Sequence, residues 1–389
     1  MLLKSLPAIS AGFVAVLVGF ASSVAIVFQA AASAGADQAV LNSWLLALGL
    51  ALGLTGISLS WYFRMPVLTA WSTPGAALLV SSLQGFSLAE ATGAFMLSAA
   101  ISLVLALTGW FDSLSRRIPL PVASAMLAGI LFNFGVALFS GLQQDFVLVL
   151  GMLLSFLISK EYWPRYATVL TLVVALIYVS LTGQFQPGEL SLSWPKPVWV
   201  SPEWSLAALM GVAIPLCIVT MTSQNIPGLA VLQSAGYQVP ARPVLAGCAL
   251  SNLLLAPLGA FSVNLAAITA AICASPEANP DPAQRYKAAI AAGGFYLLSG
   301  LCGAAVVALF LALPAVLVSA IAGLALLGTI NSNLGSSLQP GPAREAGLIT
   351  LLLTVSGINF FGINSAFWGL IAGLAVYTLQ QLLQKGKPA

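Results

Sequence analysis

Apolar runs of about twenty residues follow one another along the whole chain, and no Lys, Arg, Asp or Glu stands at the centre of any of them. As a helix, a run of that length crosses roughly 30 Å of hydrocarbon. Inside hydrocarbon every backbone N–H and C=O must find a partner within the protein. The expected fold class is therefore an all-α polytopic membrane protein. Charged residues make up 6% of the sequence, against roughly a quarter in a soluble domain. The longest polar linker, from about Gln184 to Glu203, is too short to fold alone. No cleavable leader is expected, because the first apolar run merges into a full span.

Fourteen transmembrane segments are expected, over residues 9–32, 42–63, 66–84, 88–110, 119–140, 145–159, 166–183, 205–225, 242–257, 259–275, 284–310, 314–332, 343–358 and 362–383. The third and tenth are broken. Pro66 to Leu78 opens with proline, runs extended through polar residues and becomes a short apolar helix, and Pro257 to Ile268 does the same. A slide of 191 residues (257 − 66) lays Trp71 on Ser262, Thr73 on Asn264 and Ala76 on Ala267. Irregular backbone at membrane depth survives only where protein or a cavity surrounds it. Interrupted segments at matching places in two halves point to a transporter's binding site.

Charge placement supports the count. With the N-terminus inside, the inner loops hold Lys4, Arg64, Arg116, Arg117, Lys160, Arg165, Arg242, Arg285, Lys287, Arg344, Lys385 and Lys387. Of the 13 Lys and Arg, only Lys196 falls outside. If the third segment did not cross, Arg116 and Arg117 would leave the side of Arg64. Fourteen divides into seven plus seven, and an odd number per half forces the halves into opposite orientations, an inverted repeat. Ser33-Ala34-Gly35 and Ser234-Ala235-Gly236 echo each other in that frame, as do Ala128-Gly129 and Ala322-Gly323. Glycines at 12, 19, 49, 53, 56, 293, 294, 300 and 303 suit close helix packing.

All ten acids, Asp37, Glu90, Asp112, Asp145, Glu161, Glu189, Glu203, Glu277, Asp281 and Glu345, sit in loops or at span ends, and histidine is absent. The usual mark of an intramembrane ion or proton relay is missing. Cys217, Cys248, Cys273 and Cys302 read as small buried hydrophobes, and no cofactor or metal site is expected. No catalytic or nucleotide-binding motif is present, which argues against an enzyme or an ATP-driven pump. A site without fixed charge suits a neutral solute or an anion held by dipoles. Short helices starting near Pro74 and Leu265 offer free N–H groups at their N-termini. Thr73 and Asn264 are the expected N-caps. Thr222-Ser223-Gln224-Asn225 ends the eighth span, either as an interfacial exit or as part of the site, and Ser22 and Ser23 occupy the matching region of the first. Trp71 and Phe261 flank the crossing point and suit an aromatic ring. The candidate substrate site comprises Ser22, Trp71, Ser72, Thr73, Ser223, Gln224, Asn225, Phe261, Ser262, Val263 and Asn264.

Thr69-Ala70-Trp71-Ser72-Thr73-Pro74-Gly75-Ala76-Ala77-Leu78-Leu79 resembles the third-span signature of bacterial benzoate:proton symporters. The runs Met221 to Gly228, Ala267 to Ala278 and Ser365 to Leu370 resemble that family too, so the resemblance covers essentially the whole chain. It implies the fold shared with nucleobase:cation symporters and sulfate/anion transporters. That fold has a core domain (residues 1–115 and 204–312) and a gate domain (116–203 and 313–389), and often dimerises through the gate. It implies import of benzoate with a proton across the bacterial inner membrane, and alternating access is the expected mechanism; charge placement and the even span count put both termini in the cytoplasm. Where nucleobase relatives carry acids in spans eight and ten, Gln224 and Val263 stand here. Another anion such as sulfate or bicarbonate, a nucleobase, or a channel-like anion pathway are the rival readings.

Overall fold

The computed structural model describes residues 2–109, 119–184, 195–361, 363 and 365–385. Asp112, Arg116, Arg117, Glu189 and Lys387 lie outside the described residues, as do the side chains of Lys4, Ser22, Arg165 and Lys385. Helices α1 (Leu2–Ser33) and α2 (Gln38–Phe63) lead to strand β1 (Thr69–Trp71), α3 (Thr73–Ser82) and α4 (Leu88–Thr108). Next come α5 (Leu120–Ser140), α6 (Phe146–Tyr162) and α7 (Ala167–Leu181). The long α8 (Leu206–Ser234) and α9 (Ala241–Leu255) precede strand β2 (Val263–Leu265) and α10 (Ile268–Ala274). Then follow α11 (Tyr286–Leu301), α12 (Gly303–Leu311), α13 (Ala315–Ser337), α14 (Arg344–Val355) and α15 (Ser365–Lys385). Among the described residues, seven helices are long and apolar enough to cross a membrane. Two bent pairs, broken by 43° within α1 and by 67° between α11 and α12, bring the number to nine.

The broken segments form as expected, but at a different spacing. A left-handed residue recurs at Arg64 (φ 55°) and Gly259 (φ 106°), 195 positions apart. The strands follow at 69 and 263, and the helices at 73 and 268, again 194 and 195 apart. The expected slide of 191 anchored on the two prolines, but Pro257 sits in a 3-10 turn (Ala256–Leu258) before the left-handed residue, whereas Pro66 comes after it. The strands pair antiparallel, Thr69 with Leu265, Ala70 with Asn264 and Trp71 with Val263, so the two segments run in opposite directions.

The eighth segment also differs. Instead of ending at residue 225, α8 continues to Ser234 over 29 residues. Two π turns explain this, Leu209–Ala213 before Pro215 and Met221–Asn225 before Pro227. A proline cannot donate to the helix ladder and clashes with the turn behind it. Widening that turn re-satisfies the backbone without ending the helix. The polar run Thr222 to Asn225 is thus mid-helix and not an interfacial exit.

Close packing holds the site's elements. Helix α11 packs along α1 and α2, and α4 packs on α9. At the α2–α11 crossing a Cβ on Gly49 would lie 2.6 Å from the Gly300 Cα, so only glycine lets the backbones meet. A second set of contacts joins α5 to α13 and α14, α14 to α15, and α6 to α7. The sets meet where α1 touches α7 and α13, and α3 touches α5. Cys217, Cys248 and Cys273 are buried, but Cys302, at the α11–α12 bend, is exposed.

Candidate functional site

Hydrogen bonds from surrounding helices brace the strand crossing. With its amide oriented to suit its neighbours, Asn264 donates to the Ala70 carbonyl (2.9 Å) and accepts from the Ser72 N–H (3.2 Å). From the π turn of α8, Asn225 Oδ1 accepts from the Leu265 N–H (3.0 Å). Thr69 donates to the Leu52 carbonyl (2.9 Å), and Ser262 pairs with Thr220 (3.0 Å). The N-cap of α3 is Ser72, whose Oγ accepts from the Gly75 N–H (2.9 Å), with Thr73 the first helical residue. Asn264 lies in β2 and caps no helix, because α10 begins four residues later at Ile268, behind an Ala267 that offers no side-chain cap. Ser72, Asn225, Ser262 and Asn264 therefore spend hydrogen-bonding capacity on holding the crossing together.

In front of the crossing lies a cavity of about 830 Å³. Its inner wall is built from Gly19 and Ser23 of α1, Trp71, Thr73 and Pro74, Thr222, Ser223 and Gln224 of α8, Ala266, Ala267 and Thr269, and Tyr296 of α11. Helices α5, α6, α7 and α13 close the opposite side with Ser124, Leu127, Phe156, Thr168 and Thr329. The exposed residues Lys160, Pro164 and Ser332 stand at its open end. Lys160 is the one charged residue in the lining among the described residues.

Trp71 is a fixed wall. Its Nε1 donates to Ser23 Oγ (2.7 Å), which donates in turn to the Gly19 carbonyl (2.7 Å). Phe20 packs edge-on to the indole at 5.2 Å and Tyr296 at 6.1 Å. Around this wall stand neutral polar groups. Ser223 and Thr222 donate to carbonyls of their own helix. Among the described residues, no protein group hydrogen-bonds the Gln224 amide or the Thr73 hydroxyl. The first N–H groups of α10 have no intrahelical partner and no side-chain cap. The arrangement offers donors and an aromatic face without a fixed charge, which suits a small acceptor-bearing solute.

Of the candidate residues, Trp71, Thr73, Ser223 and Gln224 line this cavity, and the side chain of Ser22 lies outside the described residues. Phe261, Ser262 and Val263 do not line it. Phe261 packs behind the strands against Trp44 (6.0 Å) and Phe95 (6.2 Å). With Ser262, Val263 and Asn225 it borders a separate polar void of about 20 Å³. The expected slide lays Trp71 on Ser262, whereas the observed offsets of 194 and 195 lay it on Leu265 or Ala266. Ser23, Thr269, Tyr296 and Lys160 line the cavity without having been singled out as site residues. For Ser23 a signal existed: Gly12, Gly19 and Ser23 recur at helical spacings of seven and four, on the face of α1 that meets α11.

Residues 3–379 match the family model of the benzoate membrane transport protein. The inner membrane protein YdcO of Escherichia coli (strain K12) is 46% identical over 377 residues, 97% of this chain and 96% of its own length. The benzoate membrane transport protein of Acinetobacter baylyi (strain ATCC 33305 / BD413 / ADP1) is 41% identical over 373 residues, 96% of this chain and 95% of its own. Among solved structures, that of SLC26A9 matches with a TM-score of 0.65 at 16% identity, covering 97% of this chain and 65% of that one, a likeness of fold.

Proposed function

Because the chain belongs to the benzoate membrane transport protein family, we propose that it imports benzoate, or a similar aromatic carboxylate, together with a proton across the bacterial inner membrane. One observation carries the reading: the cavity of about 830 Å³ sets the Trp71 face beside unpartnered neutral donors at the strand crossing. Its size falls in the ~300–1,000 Å³ range of small-molecule sites. The ring stacks near Trp71, and the carboxylate turns to the N-terminal ends of α3 and α10, with Thr73, Ser223 and Gln224 around it. Helix termini and neutral amides stabilise an anion without a buried lysine.

Fourteen crossings in an inverted repeat, with both termini cytoplasmic, remain part of the proposal. So does the division into a core (1–115 and 204–312) that carries the ligand and a gate (116–203 and 313–389) that it moves past. The two sets of helix contacts support that division. On the charge-based orientation, the cavity opens to the cytoplasm, since Lys160 stands at its open end. Asp281 caps the Ala283 N–H (2.9 Å) and does not line the cavity. Glu277 does not line it either, so among the described residues the lining offers no carboxylate to carry the proton. The alternative, an uncoupled pathway for a small inorganic anion, draws on the uncapped N-terminus of α10, which accepts any anion.

The test is uptake of radiolabelled benzoate into proteoliposomes under an inward proton gradient, with and without an uncoupler. Accumulation that the uncoupler abolishes is expected. Equilibration without accumulation favours the uncoupled pathway, and uptake insensitive to pH excludes proton coupling. No benzoate movement overturns the substrate assignment.

A further inference from the structure

We infer that the Tyr296 hydroxyl, beside Thr73 and Gln224, is a side-chain donor to the substrate's carboxylate, an inference that rests on the transport reading above. Tyr296 lies within α11, 2% exposed, and lines the cavity. Among the described residues, no protein group hydrogen-bonds its hydroxyl. The residue is buried, but its hydroxyl oxygen reaches the cavity surface, where solvent or a ligand is its partner. The phenol oxygen points at Gly19 of α1, where an added Cβ would lie 3.2 Å from it and 3.5 Å from the Thr269 methyl. A glycine at that place leaves room beside the oxygen.

The hydroxyl's surroundings suit a ring-borne acid. Its own ring meets Trp71 edge-on at 6.1 Å. The Trp71 N–H is occupied by Ser23 (2.7 Å), so the indole supplies a surface and no donor. A carboxylate accepts hydrogen bonds and donates none. Tyr296 must then be the donor, and a hydrogen bond to an ionised acceptor is the stronger kind. The Tyr296 hydroxyl thus distinguishes an aromatic carboxylate from a ring of equal size with a weaker acceptor.

The test is equilibrium binding of labelled benzoate to the purified full-length protein, with thermal unfolding measured before and after addition. Tyr296→Phe is expected to raise Kd roughly tenfold to a hundredfold. Without benzoate its Tm should equal or exceed that of the wild type, because the lost hydroxyl had no protein partner. Gly19→Ala, which presses on the phenol oxygen, should weaken binding several-fold by itself and add nothing in the Tyr296→Phe background. A Tyr296→Phe protein that binds within twofold of the wild type overturns the inference. So does a marked fall in its ligand-free Tm, or losses from the two substitutions that simply multiply. A wild type that binds no benzoate is a distinct result and overturns the transport reading and this inference together.

Discussion

The two broken segments share a backbone path and reach it by different chemistry. In the first, the left-handed turn is made by Arg64, whose guanidinium donates to the Tyr286 hydroxyl (2.6 Å) and lies over the Trp61 and Tyr286 rings. In the second it is made by Gly259, where the Trp44 indole fills the space a side chain would need. Helix α3 has ten residues and its own serine cap, while α10 has seven and no side-chain cap. At its far end α10 depends on the buried Arg285, which donates to the Ala274 carbonyl (2.9 Å). The first half-helix is thus capped from within its own segment. The second half-helix has no such cap at its N-terminus, beside the cavity-lining Ala266 and Ala267.

The strongest way to test this contrast is at the two turns. Gly259→Ala adds a methyl where the indole stands and forces a side chain into left-handed backbone. It is expected to cost on the order of 3 kcal/mol, read as a large loss of Tm in detergent. Arg64→Gly removes a hydrogen bond but relieves that backbone, and should stay within about 1 kcal/mol. Equal losses at the two positions would break the comparison.

A smaller effect separates the braces from the binding groups. Asn264→Ala should lower stability by about 1–3 kcal/mol and weaken benzoate binding as well, since the Ser72 N–H and Ala70 carbonyl lose their partner. Its neighbour in function, Gln224→Ala, should leave Tm unchanged and raise the KM for uptake. If Gln224→Ala unfolded the protein, the amide would be a brace too. Smaller again, Ser72→Ala removes only the α3 cap, at about 1 kcal/mol, with transport kept. The smallest change is expected from Lys160→Gln at the open end. A KM rise of about two- to threefold at low ionic strength should vanish at high salt.

The apolar segments and both broken spans were legible because their signal is local: length, proline, and polar residues amid apolar ones. Trp71, Thr73 and Gln224 stood out for the same reason. Asn225 and Asn264 stood out equally, yet they brace backbone. An amide that steadies a strand and one that meets a ligand are the same group, and only the partner's position separates them. Phe261 faces Trp44 and Phe95 and not the cavity, because which face of an extended segment meets a cavity carries no local mark in sequence. Tyr296 was hidden by its setting, Gly293-Gly294-Phe295-Tyr296, which reads as packing. The continuation of α8 was hidden as well, since Pro227-Gly228 is the ordinary signature of a helix end and the π turn that absorbs it has no simple sequence code.

The short ladder between β1 and β2 also has a mechanical side. Strands hydrogen-bonded edge to edge, with one amide of β2 and one from α8 pinned across them, do not part without exposing their backbone to an apolar interior. The half-helices they lead into are therefore two arms of one cradle. On the transport proposal, a ligand resting between those arms would move with both of them together, and a hinge for its release would have to lie outside the cradle.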